Sequence, residues 1–233
     1  MQTVTIQYRF RFPDNREEVF DLRFDAETLD LLGDAPDGLP FWTRLDHQQC
    51  PNCPLTPETH PHCPTAVHLV RIVSSCRNVL SYEEVHVDVV TPERLVSKDT
   101  SAQKGISSLM GLVMATSGCP LTGFFKPMAR FHLPLASGKE TVYRAASMYL
   151  LAQYFLHQAG RPADLSLKGL LKIYYDLQVM NRAMAERLRS ASDRDAAVNA
   201  VVLLDLYAKT LPLAIEESLK GIRHLFAAYL PPP

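Results

Sequence analysis

Most of the chemistry this sequence could do rests on its cysteines. They are Cys50, Cys53, Cys63, Cys76 and Cys119, and four are followed directly by proline: Cys50-Pro51, Cys53-Pro54, Cys63-Pro64 and Cys119-Pro120. With proline at about 5–7% of residues, four or more such pairs out of five arise by chance on the order of once in 10,000. The pattern sets apart Cys76, which lacks the proline and adjoins the apolar run Val67–Val73, as a plain core residue. The other four form C-x2-C, then nine residues, then a third cysteine, with the fourth 56 residues beyond it.

A C-x2-C spacing lets two thiolates reach one metal from a single tight turn. Proline after a ligand fixes φ and removes a backbone N–H, which stiffens that turn. Cys50, Cys53, Cys63 and Cys119 would complete a tetrahedral zinc site with Zn–S distances of about 2.3 Å. The same four could hold an iron–sulfur cluster. Histidine offers a second zinc solution. His60 and Cys63 are spaced H-x2-C, so Cys50, Cys53, His60 and Cys63 would make a compact local site, and His47 and His62 are further candidate ligands. A haem held by a Cys-Pro thiolate, a Cys50–Cys53 redox pair and free thiols are the remaining readings of these residues. The Cys50–Cys53 segment resembles half of a zinc-ribbon knuckle, but no second C-x2-C accompanies it.

A second group follows Cys119. Pro127–Pro134 reads P-M-A-R-F-H-L-P, and its two prolines predict an extended path. In such a path Arg130 and His132 point to one side, roughly 6–7 Å apart. An arginine and a histidine so placed could grip a carboxylate or phosphate. Tyr143 and Arg144, early in the next helix, extend this candidate ligand-binding group, although Arg144 could instead pair with Glu140 at i, i+4. Asn181 and Asn199 read as residues that fix helix register. The chain has no G-x-x-x-x-G-K-[ST], no G-x-S-x-G, no H-E-x-x-H and no dinucleotide fingerprint. No catalytic residue is therefore assigned.

These groups need elements to position them. Val4, Ile6, Tyr8, Phe10 and Phe12 alternate with polar residues, and Phe20, Leu22 and Phe24 alternate again after a Pro13-Asp14-Asn15 turn, which predicts a β-hairpin. Ala26–Leu32 suggests a short helix closed by Gly33, followed by a turn-rich loop from Asp34 to Pro40. Phe41–Pro64 has no period of 2 or 3.6, so something other than local propensity must order it. Ala66–Ser74 and Glu84–Val90 look like further strands. Ile106, Leu109, Met110 and Val113 form a helical stripe over Gln103–Thr116.

From Lys139 the chain turns helical. Glu140–His157 is apolar almost all round, the mark of a central buried helix. Asp164 or Ser166 can cap a second helix, with a seam of Leu170, Ile173, Leu177, Met180 and Met184. Asp193 opens a third. Pro212 disfavours its continuation, which places a fourth over Leu213–Leu230 before a Pro231–Pro233 tail.

The 233 residues carry 24 basic and 25 acidic side chains, a net charge of −1. That balance lacks the footprint of a general nucleic-acid binder. The N-terminus shows no secretory signal, so a cytoplasmic location is expected. The longest uncharged run, Gly105–Phe125, is too broken by Ser, Thr, Gly and Pro for a membrane span. Together these features predict an α+β fold in one integrated domain, residues 1–233. Antiparallel strands and the Cys/His/Pro-rich loop occupy 1–138 and pack on a bundle of about four helices in 139–233. The expected function is a metal-binding protein with a structural zinc and a binding or regulatory role toward a protein or a small anionic ligand. An iron–sulfur or thiol redox protein on the same cysteines is the alternative, and an enzyme acting on an anionic small molecule near Arg130 and His132 is the third reading.

Overall fold

Strand β1 (Thr3–Arg11) puts Val4, Ile6, Tyr8 and Phe10 on one buried face. The computed structural model describes residues 2–33, 38–191 and 196–230. Asn15 takes left-handed backbone (φ 62°) in the turn, where Asp14 accepts from the Arg16 N–H, and β2 (Glu17–Asp25) returns antiparallel with Val4 opposite Phe24. On the other side of β1 lies β4 (Glu84–Val90), which continues through a hairpin into β5 (Leu95–Ser101). A two-residue strand, β3 (Leu31–Leu32), closes the far edge, so the antiparallel order is β3-β2-β1-β4-β5. The short helix expected over Ala26–Leu32 is not there. The Asp25 carboxylate accepts the N–H groups of Glu27 and Thr28, which ties the backbone into a turn that Leu29 leaves with φ 59°.

Two helices meet this sheet. Helix α1 (Pro64–Ser75) occupies the segment expected to be a strand at Ala66–Ser74. Its apolar residues are spaced for a helix: Ala66, Leu69, Val70 and Val73 lie at i, i+3, i+4, i+7 and are all buried, and Pro64 sits in the first turn, where its missing N–H costs nothing. Arg71 on α1 donates to the Val19 carbonyl and lies over the Phe20 ring, which docks the helix beside β2. Helix α2 (Ala102–Thr116) follows β5 directly and matches its expected span. It is buried on nearly every side, from Gly105 and Ile106 to Ala115 and Thr116, so it is the central helix of the fold.

The chain then makes a 3-10 turn (Gly123–Phe125) and a short helix α3 (Lys126–Arg130) where an extended path was expected. Pro127 stands in the first turn of α3 and starts the helix rather than preventing it. Helix α4 (Gly138–Gln158) begins with a capping box between Ser137 and Glu140. It is not the buried helix its composition suggested. Val142, Ala145, Ala146, Tyr149 and Gln153 face inward, whereas Tyr143, Leu151, Tyr154 and Phe155 are 50–61% exposed. Apolar content alone did not tell which faces have cover.

Helix α5 (Lys168–Arg189) is tied to α4 through Asp164, which accepts from the Tyr149 hydroxyl and the Gly169 N–H. Helix α6 (Ala196–Ile222) runs through Pro212 without ending, and a 3-10 segment (Arg223–Tyr229) completes the described chain. Among the described residues this region forms three long helices and a closing 3-10 segment, where four helices were expected. Packing of α6 along α2, α4 and α5 outweighs the one backbone hydrogen bond a proline removes. The loop at 34–37, the helix start expected at Asp193 and the tail at 231–233 lie outside the described residues. Among those described, no helix is long and apolar enough to cross a membrane.

Candidate functional site

The fold gathers the four Cys-Pro cysteines from three parts of the chain. Cys63 is the residue before the first turn of α1, and Cys119 lies just past the end of α2. These helix ends touch, with Thr65 Oγ1 and Ser117 Oγ hydrogen-bonded at 2.9 Å. Cys50 and Cys53 form one tight turn, closed by the Cys53 N–H on the Cys50 carbonyl at 2.9 Å. Burial pushes the Cys50 thiol up to about 12, and charge on Cys63, Cys119 or Cys53 pushes it the same way. The Cys63 thiol is raised by burial too, while the Ala66 and Thr65 N–H groups at the helix start and Arg187 favour its thiolate. Cys76 stands at the other end of α1, about 18 Å away along a 12-residue helix. Its charged neighbours are Glu18 and Arg16 instead.

Arg187, near the end of α5, is 2% exposed and faces this cluster. Its Nη1 donates to the carbonyls of Trp42 and Arg44, each at 2.6 Å, and Cys63, Cys50 and Cys53 act on its charge. The loop from Phe41 to Cys63 is ordered by these bonds and by an antiparallel bridge between Arg44 and His62. The candidate histidines have other partners. His62 Nδ1 is bonded to Thr43 Oγ1 at 2.8 Å, His47 Nε2 to Ser190 Oγ at 2.8 Å, and His60, which is exposed, to Thr59 Oγ1 at 3.0 Å. Among the described residues no group of three or more His, Cys, Asp or Glu side chains is arranged to hold a metal ion.

The second candidate group divides. Because α3 ends at Arg130, that residue and His132 do not share a side. Arg130 reaches outward to Glu93 at 3.4 Å, and Tyr143 is exposed on α4. His132 and Arg144 do come together, on the wall of a cavity of about 430 Å3. Arg144 does not pair with Glu140, which is engaged in the capping box. Its Nη2 donates to the carbonyls of Met128 (2.7 Å) and Phe131 (3.0 Å). His132 Nε2 is bonded to the Tyr8 hydroxyl at 2.5 Å, and that hydroxyl also meets Ser108 Oγ at 2.8 Å. Burial drives the His132 pKa down to about 3, and the charge of Arg144 acts in the same direction, so the imidazole is neutral at neutral pH.

Residues 6–227 match the family described as DUF6901, a domain of unknown function. The chain belongs to the DUF6901 family. No curated protein and no solved structure matches it. The DUF6901 match runs from β1 into the last 3-10 segment and includes all four Cys-Pro cysteines and both wall residues.

Several residues of these sites escaped the sequence reading. Tyr8 reads as one more core residue of an alternating strand, and nothing in the sequence marks its hydroxyl. Ser108 reads as a small packing residue. Arg187 could have been found, since the seam Leu170–Met180–Met184 continues three residues on to an arginine, and a charge on a buried stripe requires a partner.

Proposed function

We propose that this DUF6901 chain is a metal-binding protein in which Cys50, Cys53, Cys63 and Cys119 hold one zinc ion that fastens the Phe41–Cys63 loop to the helical core. The observation that supports the reading is that Cys53, Cys63 and Cys119, but not Cys76, lie near enough to Cys50 to act on its charge, with the buried Arg187 near Cys50, Cys53 and Cys63. Among the described residues Arg187 makes no salt bridge, and a buried guanidinium facing neutral thiols is costly. Four thiolates on one Zn2+ leave the centre net negative, which supplies the missing counter-charge. The engagement of His47, His60 and His62 elsewhere favours the all-thiolate set over the Cys3His one. Metal capture requires the thiols to turn toward a common centre, and proton release on binding accompanies it.

In this reading the metal is structural, and a partner or ligand engages another surface. Elemental analysis with a visible spectrum, on untagged protein purified without oxygen, tests it. About one zinc per chain and no colour are expected. Cys50→Ser, Cys53→Ser and Cys119→Ser each lose the metal and melt lower, while Cys76→Ser keeps it. Iron with sulfide and absorption near about 400 nm would replace zinc by a cluster on the same cysteines. Equal metal content in all four variants would sink the shared site.

A further inference from the structure

No cysteine lines the cavity beside His132, which is walled by α2, α4, α5 and α6, with the β5–α2 junction at its rim. Its volume, about 430 Å3, falls in the range of small-molecule sites. The walls are mainly apolar, with Leu112, Phe125, Leu177 and Leu204 among them.

The group that defines it is Arg144. The guanidinium is half-buried and no carboxylate pairs with it among the described residues. Two backbone carbonyls hold Nη2, and the rest of its N–H groups have no protein acceptor among the described residues. Tyr174, almost fully buried, feels its charge and makes no hydrogen bond through its hydroxyl among the described residues. Asn181, fully buried, completes this wall with both amide atoms unpartnered among the described residues. Lys98 and Lys104 stand at the rim; the one acid there, Asp99, is taken by His86 Nδ1 at 2.6 Å. Glu140, held in the capping box, acts on this charge only through space, and a half-buried guanidinium with no bonded carboxylate, like polar atoms without partners, is costly unless something fills the site.

We propose that this cavity binds a small organic monoanion, a carboxylate on an apolar chain or ring, with Arg144 and the Tyr174 hydroxyl on the carboxylate and the α2–α5–α6 walls around the apolar part. Lys98 and Lys104 are exposed at the rim, whereas Arg144 is half-buried in the wall, and one inward guanidinium matches a monoanion better than a phosphate dianion. Neutral His132, held by Tyr8, adds a hydrogen-bonding wall without adding charge.

Isothermal titration of the full chain as purified, with decanoate, decanol, decyl phosphate and inorganic phosphate, tests this. Decanoate should bind, and decanol at least tenfold more weakly. Arg144→Gln should weaken decanoate roughly 10–100-fold, the worth of a hydrogen bond to a charged group. Because Arg144 also holds Met128 and Phe131, Tyr174→Phe serves as the second variant. It keeps the ring against Phe125 and should weaken decanoate about five- to tenfold with an unchanged melting temperature. Equal binding of decanol and decanoate, wild-type affinity in both variants, tighter binding of either phosphate compound, or no binding of any probe would overturn the proposal.

Discussion

His132 is a base held neutral in the folded chain, so its protonation favours the unfolded one. Its pKa falls from 6.5 to about 3 on folding, and the stability it contributes is complete above 6.5 and is lost as pH falls toward 3. The loss is at most about 1.4 kcal/mol per pH unit in that window. Asp164 acts in the same direction for the opposite chemical reason. Its hydrogen bonds from Gly169 and Ser166 depress its carboxyl well below the usual range, so its contribution is present above the unfolded carboxylate pKa and lost as pH falls through the lower folded one. The melting temperature should therefore fall steadily from pH 7 to pH 4. His132→Gln should flatten the upper part of that fall and leave the part below pH 4; an unchanged slope between pH 6.5 and 4.5 would show that His132 does not titrate this way. The proline-bracketed segment suggests an extended path that pairs Arg130 with His132, and the start of the next helix adds Tyr143 and Arg144; the fold brings only His132 and Arg144 of these four to one cavity wall. Pro127 instead opens a helix, and five residues of it were enough to turn Arg130 outward.

At the level of elements, periodicity was reliable where a pattern was long and unreliable where it was short. The β1–β2 hairpin, β4 and α2 stand where alternation and the 3,4 spacing put them. Val67–Val73, apolar except for His68 and Arg71, suits a buried strand as well as a helix, and only the wider 66–69–70–73 spacing distinguishes α1 as a helix. The central position of α2 had a visible sign in its small residues, of which Gly105 matters most. A Cβ there would stand 2.8 Å from Phe10 Cε1 and 3.0 Å from Val87 Cγ2, so the helix can approach the sheet only without a side chain. Gly105→Ala gains about 0.5–1 kcal/mol in helix propensity and loses about 1–3 kcal/mol to overpacking against Phe10. Chemical denaturation should find it less stable by about 1 kcal/mol, and Phe10→Leu in the same chain should recover part of that. Gly111 at the α2–α6 contact makes the useful comparison: a Cβ there meets only Leu204 at 3.5 Å, an ordinary contact.

Across the whole molecule, the sheet, the cysteine loop and the long helices share the buried cluster that α1 and α2 run through. What the sequence could not tell is which segments that cluster joins. The spacing of the Cys-Pro pairs pointed to a common site, but the touching ends of α1 and α2, and the arginine reaching across from α5, come from tertiary packing that no local pattern encodes. That arginine has a consequence in time as well as in space. The amides of Leu45 and Cys63 belong to a stretch with little secondary structure, yet they are bonded to the Pro61 and Thr43 carbonyls, while Arg187 holds the carbonyls of Trp42 and Arg44 on the same stretch. The stretch cannot open without breaking its attachment to α5. In native-state hydrogen exchange these two amides should therefore exchange as slowly as the interior of α5, rather than at the rate of a surface loop, and Arg187→Lys should release them while the α5 amides stay slow. Fast exchange of both in the unmodified chain would mean that the loop opens independently of α5.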